Sequence, residues 1–460
     1  MSKPGTTPDR LSGRDPRPAL ARLLSAVRPG AFGKDALTLA TGAAVAQAIS
    51  FGIAPVLARL YSPHDFGVFS IYAFVLGVPA AVVCWSYEAA VVLPKEDREA
   101  RDIVVASIVI ACTMATVLVV PVLAGGFIVR ALHAPGLDRW LGWISINLLA
   151  LGVYQALSYW YNRSGEFRSL AVSRVIQSGV TAGGQFAGAL VTAGPGGLIV
   201  GQVLGQVASS GFLWRLAVRN GGLDPREKLR VQTLARVLTS YRRFPLYTSW
   251  GTLVGTTALQ IVPVLLAMRF GSVEAGLYFF GYRLLSAGVQ LGTSSIGQVL
   301  YQRAAAVLNA GESIAPLLEA VVARLTVGCA IVLGLFAAFA PRIFSVLFGA
   351  HWALSGEYMR IVSPMFFMQM IASPVSITLF LFEKQHVGAL MQLALLGGSV
   401  GAIALGQALG ASPGGTLALY AAIQTGLYFA YLGIVLRVAS ASPQRVVRAI
   451  AAGRWLRFRA

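Results

Sequence analysis

Three arginines lie inside long runs of apolar residues: Arg174, Arg283 and Arg360. A guanidinium stays charged at physiological pH, and its planar fork of N–H donors matches the oxygens of phosphate and carboxylate groups. Arg283 lies roughly two helical turns inside its run, too deep for its head to reach water easily. We therefore expect Arg283 either to bind an anionic group in a water-filled cavity or to form a structural ion pair.

Other ionisable residues lie nearer the ends of apolar runs. Arg59 and Arg269 occupy nearly equivalent positions in two different runs, and Arg360 lies about one turn into a third. Basic side chains at such depths extend to the interface, so each of these three is either an anchor or a further substrate-binding cation. Arg174 is similarly close to one end of its run. Glu88 is expected either to pair with a basic neighbour or to carry a coupling proton.

Glutamine recurs inside the apolar runs, from Gln47 to Gln424. An amide that faces lipid is costly, so these side chains should face neighbouring helices or a wet cavity. Interhelical hydrogen bonding explains any one of them. As a set they suit a polar lumen that exchanges hydrogen bonds with a hydroxyl-rich cargo, and Gln47, Gln260 and Gln290 are the candidates for binding it.

Residues typical of catalytic or metal centres are few. The four histidines lie in loops or at the ends of apolar runs, without the spacing of metal ligands. The three cysteines form no CxxC pattern and are interpreted as small core residues. No phosphate-binding loop, GxSxG motif or paired carboxylates stand out. We therefore expect no enzyme, no catalytic residue, no metal and no cofactor.

The composition places the chain in a membrane. Of 460 residues, 56% are hydrophobic and 12% are charged, and the mean hydropathy is +0.69. Crossing about 30 Å of hydrocarbon takes about 20 apolar residues in a helix. Twelve segments meet that length, at residues 35–58, 66–93, 103–126, 140–161, 169–193, 197–214, 244–268, 275–301, 325–341, 357–382, 386–410 and 414–436.

Positive charge orients these spans. The net charge is +19, and with twelve spans and a cytoplasmic N-terminus, 29 of the 37 basic residues fall on the cytoplasmic side. That bias follows the positive-inside rule, so both termini are predicted to be cytoplasmic. Because the basic residues punctuate apolar runs, anionic lipids of the inner leaflet are the expected partner, and nucleic acid is not.

The two halves of the chain resemble each other. Residues 53–57 and 65–69 align with residues 261–265 and 274–278, and a basic amphipathic stretch precedes each copy. This pattern predicts parallel pseudo-repeats of six helices. The expected organisation is a basic segment with an amphipathic helix at 1–34, an N-lobe at 35–214, a basic linker with a second amphipathic helix at 215–243, a C-lobe at 244–436 and a basic cytoplasmic tail at 437–460.

Several short segments at span boundaries carry a family resemblance. They are residues 58–67 (ARLYSPHDFG), 86–95 (SYEAAVVLPK), 173–178 (SRVIQS), 196–201 (GGLIVG), 241–245 (YRRFP) and 275–284 (AGLYFFGYRL). Together, and in this order, they resemble the Wzx-type polysaccharide flippases of the multidrug/oligosaccharidyl-lipid/polysaccharide (MOP) exporter superfamily.

That resemblance implies a fold and a cargo. The fold would be an all-α integral membrane protein of about twelve helices, in two six-helix lobes of the multidrug and toxic compound extrusion (MATE) architecture. The cargo would be a polyprenyl-pyrophosphate-linked oligosaccharide of O-antigen, capsule or exopolysaccharide synthesis, moved outward across a bacterial inner membrane by alternating access. Arg283 best matches the family's cationic cavity residues. A coupling ion, proton or sodium, and other polysaccharide-assembly proteins are further expected partners.

Two other functions stay open at this stage. A MATE-like drug or cation antiporter would favour acidic residues deep in the N-lobe, where Glu88 is the one candidate. A membrane-embedded polysaccharide polymerase or ligase would need a sizeable outer loop with essential arginine or histidine residues. The predicted outer loops are too short for such a domain.

Overall fold

The computed structural model describes residues 31–123, 137–191, 194–221 and 231–452, and these ranges form helices and no strands. Twelve long helices lie on the twelve predicted spans, and two short ones, α7 and α14, lie between and after them. In chain order they are α1 Ala31–Leu60, α2 Pro63–Ala80, α3 Asp97–Leu123, α4 Gly142–Arg163, α5 Phe167–Val191, α6 Gly196–Arg219, α7 Val231–Ser240, α8 Arg243–Phe270, α9 Ser272–Asn309, α10 Ala315–Phe348, α11 Ala353–Ser376, α12 Gln385–Ala408, α13 Pro413–Val438 and α14 Pro443–Ala451. The amphipathic helix predicted within residues 1–34 falls outside the described residues.

Most of the long helices can cross a bilayer unaided. In the described ranges, nine helices are long and apolar enough to do so by length and composition alone. The other three long helices are α2, α5 and α9. The protein is therefore an all-α, multi-pass membrane protein, as predicted.

Local sequence signals explain where several helices begin. Ser62 and Asp65 form a capping box at the start of α2: Ser62 Oγ accepts from the Asp65 amide at 3.3 Å, and Asp65 Oδ2 accepts from the Ser62 amide at 2.9 Å. Ser412 caps α13 by accepting from the Gly415 amide at 3.2 Å. In both helices proline occupies the first turn, where its missing N–H costs nothing.

The second predicted span, 66–93, is not one continuous helix. α2 ends at Ala80, just after Pro79, and Trp85 and Ser86 adopt left-handed backbone angles, with φ of 50° and 60°. A short 3-10 helix, Tyr87–Val92, follows. Consecutive left-handed residues cannot continue an α-helix, and the length rule applied to the sequence carries no information on such a break.

The long helices form two lobes of six. In the N-lobe α5 packs against α1 and α6, and α4 against α3 and α6; in the C-lobe α11 packs against α9, α10 and α13. The lobes meet where α2 contacts α8 and α9. The closest approach joins equivalent repeat positions: a Cβ on Gly276 would lie 1.8 Å from the Pro63 carbonyl oxygen and 2.6 Å from the Gly67 amide nitrogen. Only glycine fits at this crossing.

Two short amphipathic helices lie beside the lobes, on the side predicted to be cytoplasmic. α7 packs on the N-lobe, where Tyr87 Oη donates to the Leu238 carbonyl at 3.0 Å and Tyr241 Oη donates to Glu99 Oε1 at 2.9 Å. Burial, followed by the bond to Glu99, raises the pKa of Tyr241. α14 packs on α10 through buried Glu319, which accepts from the Ser442 amide at 2.7 Å. The linker and the tail are thus each held by one lobe.

Candidate functional site

A cavity lies between the lobes, lined by α1, α4, α5 and α6 on one side and by α9 on the other. It has a wide part of about 590 Å³ and a narrower inner part of about 170 Å³. The two parts share five lining residues: Gln47, Ser50, Ser178, Thr181 and Arg283. The wide part reaches Tyr159 near the end of α4 and Leu170 near the start of α5. This is the side predicted to be cytoplasmic.

Aromatic residues close the other end of the cavity. Phe66 of α2 and Phe280 of α9 line its narrow part. The centres of their rings are 5.0 Å apart, in an edge-to-face arrangement. Trp352 packs against both rings and donates from Nε1 to the Ala58 carbonyl at 2.7 Å. Phe66 and Trp352 are buried. The cavity therefore ends below the α2–α9 crossing.

Two arginines from different lobes face this cavity. Arg283 of α9 lines both parts, and Arg174 of α5 lines the wide part. The Arg283 guanidinium lies 5.9 Å from the centre of the Phe69 ring, at a distance that allows a cation–π contact. Both side chains are exposed to the cavity, and no described carboxylate pairs with either of them. The cavity thus holds two cations free to bind an anion.

Acidic residues do not line the cavity in the part of the chain that the structure describes. Glu88 lies in the 3-10 helix after α2, and its Oε2 atom is buried without a hydrogen-bond partner. The predicted ion pair of Glu88 with a basic neighbour is not formed by any described residue. The break after Ala80 moves this residue away from the helical position that the sequence suggested.

Four of the five glutamines that line the cavity fall into two groups. Gln177 donates from Nε2 to Gln206 Oε1 at 2.7 Å, and Gln185 donates to the Leu198 carbonyl at 3.1 Å, so both amides join helices within the N-lobe. Gln47 and Gln202 also line the cavity, but their amides bond to no described residue. Those two remain available to a ligand.

Three other predicted arginines lie away from the cavity. Arg59 is exposed at the end of α1. Arg269, at the end of α8, donates to the Gly406 carbonyl at 3.4 Å and lies over the Phe270 ring at 4.9 Å. Arg360 pairs with Glu357 one turn earlier on α11. None of these three arginines lines the cavity, and the interpretation that they are interfacial anchors stays a prediction.

Two predicted glutamines are also outside the cavity lining. Gln260 of α8 packs on α2, because a Cβ on Gly77 would lie 2.5 Å from its Oε1 atom. Gln290 is exposed on α9 and lines neither part of the cavity. Of the glutamines selected from the sequence, the structure brings only Gln47 together with Arg283.

The sequence did not single out Arg174 or Gln202 as site residues. Arg174 lies about two turns into α5 but close to one end of its apolar run in the sequence, and that position suggested an interfacial anchor. The cavity, however, extends to the end of α5 that is predicted to be cytoplasmic, so a residue near that end can still face it. Arg174 and Gln177 are three residues apart on one face of α5, and that spacing was the available signal.

Comparisons with known proteins agree with this geometry. A family model described as polysaccharide biosynthesis protein matches residues 56–356. The chain belongs to this polysaccharide biosynthesis family. A comparison with curated proteins gives no match.

Solved structures share the fold of this polysaccharide biosynthesis protein. The lipid II flippase MurJ, in an inward closed conformation, superimposes with a TM-score of 0.69 at 12% identity, covering 89% of this chain and 90% of that one. An inward-facing MATE transporter of the MOP superfamily gives 0.64 at 12% identity, covering 86% and 95%. The eukaryotic MATE transporter AtDTX14 gives 0.53 at 14% identity, covering 92% and 100%. The predicted MATE-like fold is confirmed.

Proposed function

We propose that this protein is a flippase for a polyprenyl-pyrophosphate-linked oligosaccharide, the repeat unit of an O-antigen, capsule or exopolysaccharide. It moves this cargo from the inner to the outer leaflet of a bacterial inner membrane by alternating access, with both termini cytoplasmic. One observation carries the proposal: Arg174 and Arg283, from different lobes, face one cavity that has no described acidic lining.

The two arginines suit a pyrophosphate. A pyrophosphate has two anionic groups, and each can accept the parallel N–H donors of a guanidinium. Because Arg174 belongs to the N-lobe and Arg283 to the C-lobe, a pyrophosphate between them would neutralise both cations. The bound head would thereby draw the lobes together, and binding would be coupled to the relative position of the lobes.

The free amides suit the sugar. Gln47 and Gln202 each present a donor and an acceptor, which match sugar hydroxyls. The family and the structural neighbours include proteins of polysaccharide biosynthesis and lipid flipping, which adds support for a lipid-linked sugar.

The same cavity disfavours the two other functions. Drug or cation export would place a positively charged ligand beside two unpaired guanidinium groups, with no described carboxylate in the lining to offset the repulsion. A polysaccharide polymerase or ligase would need an outer catalytic domain. The described connections on the side predicted to be outer, such as residues 61–62 and 349–352, are short.

Other partners belong to the proposal as well. The basic linker and tail would contact anionic lipids of the inner leaflet. A coupling ion, proton or sodium, would drive the cycle. Glu88, with its buried and unpartnered Oε2, is the proposed coupling carboxylate. Other polysaccharide-assembly proteins would receive the cargo at the outer leaflet.

Replacement of the cavity arginine tests the function. In a strain lacking the gene, Arg283→Ala expressed at wild-type abundance should leave little surface polysaccharide, and lipid-linked oligosaccharide should accumulate in the inner leaflet. Arg360→Ala is the matched control, because Arg360 also lies within a span but pairs with Glu357 outside the cavity. Normal surface polysaccharide with Arg283→Ala would rule out the assigned role of Arg283.

A further inference from the structure

A second concave surface, the α9–α10 groove, lies next to the cavity. It has a volume of about 390 Å³ and runs between α9 and α10, with Phe51 of α1 and Met370 of α11 at its edges. All thirteen of its lining residues are apolar. Val332 and Leu347 of α10 are 62% and 47% exposed, so the groove is open at the surface that faces lipid.

The groove and the cavity adjoin along α9. Phe51 and Leu284 line both spaces, and Arg283, the residue before Leu284, lines the cavity alone. The boundary between polar and apolar surface therefore passes between two consecutive residues of one helix. An amphiphile with a compact charged head and a flexible chain has the same division.

We infer that the α9–α10 groove holds the hydrocarbon chain of an amphiphilic anion whose charged head lies in the cavity beside Arg283. This inference rests on the proposed function and deepens it, because it gives the lipid part of the cargo a path out of the cavity. A volume of about 390 Å³ lies within the range of about 300–1,000 Å³ that is typical of small-molecule sites. It accommodates the first part of a long prenyl chain, and the rest would extend into the bilayer.

Membrane lipid also offers an apolar environment, so hydrophobicity alone would not select this groove. Selectivity would come from the head, since a chain attached to an anion bound at Arg283 begins at Phe51 and Leu284. A hydrocarbon chain without a charged head would exchange freely with membrane lipid tails in the groove. The proposal therefore predicts that occupancy of the groove depends on the head.

Gly288 offers a clean way to fill the groove. It lines the groove, and a Cβ built on it would meet no atom within 4 Å. Gly288→Phe should therefore block the groove without displacing neighbouring helices. Gly334→Phe is the matched control, because Gly334 is an exposed α10 glycine that also has open space around it and does not line the groove.

Photo-crosslinking tests the inference. The full-length protein in phosphatidylcholine vesicles would be irradiated with a farnesyl pyrophosphate analogue that carries a diazirine on its terminal isoprene, and labelled peptides would be identified by mass spectrometry. We expect labelling of α10 and of Met370, unchanged in Gly334→Phe. In Gly288→Phe the labelling should fall about tenfold, because the phenyl ring would occupy the space of the hydrocarbon chain. The matching farnesol analogue should label the groove weakly.

The outcomes separate the two proposals. Labelling of α1 and α5 without labelling of the groove would overturn this inference and leave the proposed function standing. Equal labelling by the farnesol analogue, or labelling that Gly288→Phe does not reduce, would also overturn it, because the groove would then be a general lipid contact. If the pyrophosphate analogue labels neither the cavity nor the groove, the proposed function itself fails, and the inference fails with it.

Discussion

Gly67 of α2 and Gly276 of α9 meet where the two lobes cross. A Cβ on Gly67 would lie 1.8 Å from the Ser272 carbonyl oxygen, and one on Gly276 would lie 1.8 Å from the Pro63 carbonyl oxygen. These are backbone contacts, so no side chain can move aside to make room. The crossing lies beyond the closed end of the cavity, and its closure keeps the cavity open only towards the predicted cytoplasmic side.

Gly276→Ala should therefore open the cavity to the outer side. Overpacking costs about 1–3 kcal/mol, which would lower the ratio of closed to open crossing by about 5- to 150-fold. With Cys84, Cys112 and Cys329 replaced, a cysteine introduced at Ala287 in the narrow part of the cavity should react faster with a membrane-impermeant maleimide added outside. Gly52→Ala is the control, since a Cβ there meets no atom within 4 Å. Equal labelling rates in the two variants would contradict a gate at this crossing.

Arg174→Gln should weaken anion binding about as much as Arg283→Gln does. A hydrogen bond to a charged group contributes about 1.5–3 kcal/mol, so each variant should lose about 10- to 100-fold in affinity for farnesyl pyrophosphate. Affinity would be measured by the shift in thermal unfolding of the purified protein. If both arginines hold one pyrophosphate, the double variant should lose less than the sum of the two single effects. Wild-type affinity in Arg174→Gln would remove Arg174 from the site.

Gln202→Leu should reduce transport and leave stability unchanged, because its amide bonds to no described residue. Gln424→Leu provides the contrast: Gln424 is buried in the C-lobe and donates from Nε2 to Leu395 O at 2.9 Å and to Ser399 Oγ at 2.8 Å. Loss of such interhelical bonds costs about 0.6–2 kcal/mol, so this second variant should unfold at a lower temperature. Transport and unfolding measured side by side distinguish the two roles. A lowered unfolding temperature in Gln202→Leu would contradict this prediction, because it would show that Gln202 contributes to packing.

Glu319→Ala should release α14 from the C-lobe. The buried carboxylate accepts from the Ser442 amide at 2.7 Å and lies 3.7 Å from Arg445 Nη1, so its removal deletes both contacts at the start of α14. Hydrogen exchange of residues 443–451 should accelerate, while exchange in α10 should not. Glu312→Ala removes an exposed acid from the preceding connection and should leave α14 protected. Slow exchange of α14 in Glu319→Ala would show that apolar packing of Val446 suffices.

The sequence predicted the helices better than it predicted the directions in which their side chains point. The length of an apolar run fixes a span, because lipid demands that every backbone group be bonded within the helix. Depth along the run identified Arg283. Which face of a helix borders the cavity depends on the helices that pack against it. Gln260 packs on Gly77 of α2, whereas Gln47 lines the cavity.

The sequence also carries no information on which helices pack together. For that reason it did not predict Arg174 as a cavity residue, and it did predict Arg269 as a possible substrate-binding residue. The sequence suggested an interfacial anchor for Arg174, and either an anchor or a substrate-binding cation for Arg269. Arg269 contacts the Gly406 carbonyl of α12, while Arg174 faces the wide part of the cavity. The break after Ala80 was likewise hidden, because Trp85 and Ser86 are not residues that commonly adopt left-handed angles.

The α2–α9 crossing also bears on how such a chain could arise. Gly67 contacts Ser272 and Gly276 contacts Pro63, and both pairs of equivalent positions are offset by 209 residues in the sequence. Reciprocal contact between equivalent residues is the hallmark of an isologous interface, the kind that joins two identical subunits in a dimer. A six-helix ancestor with one such glycine could have built this crossing by pairing with a second copy of itself, before gene duplication and fusion joined the copies.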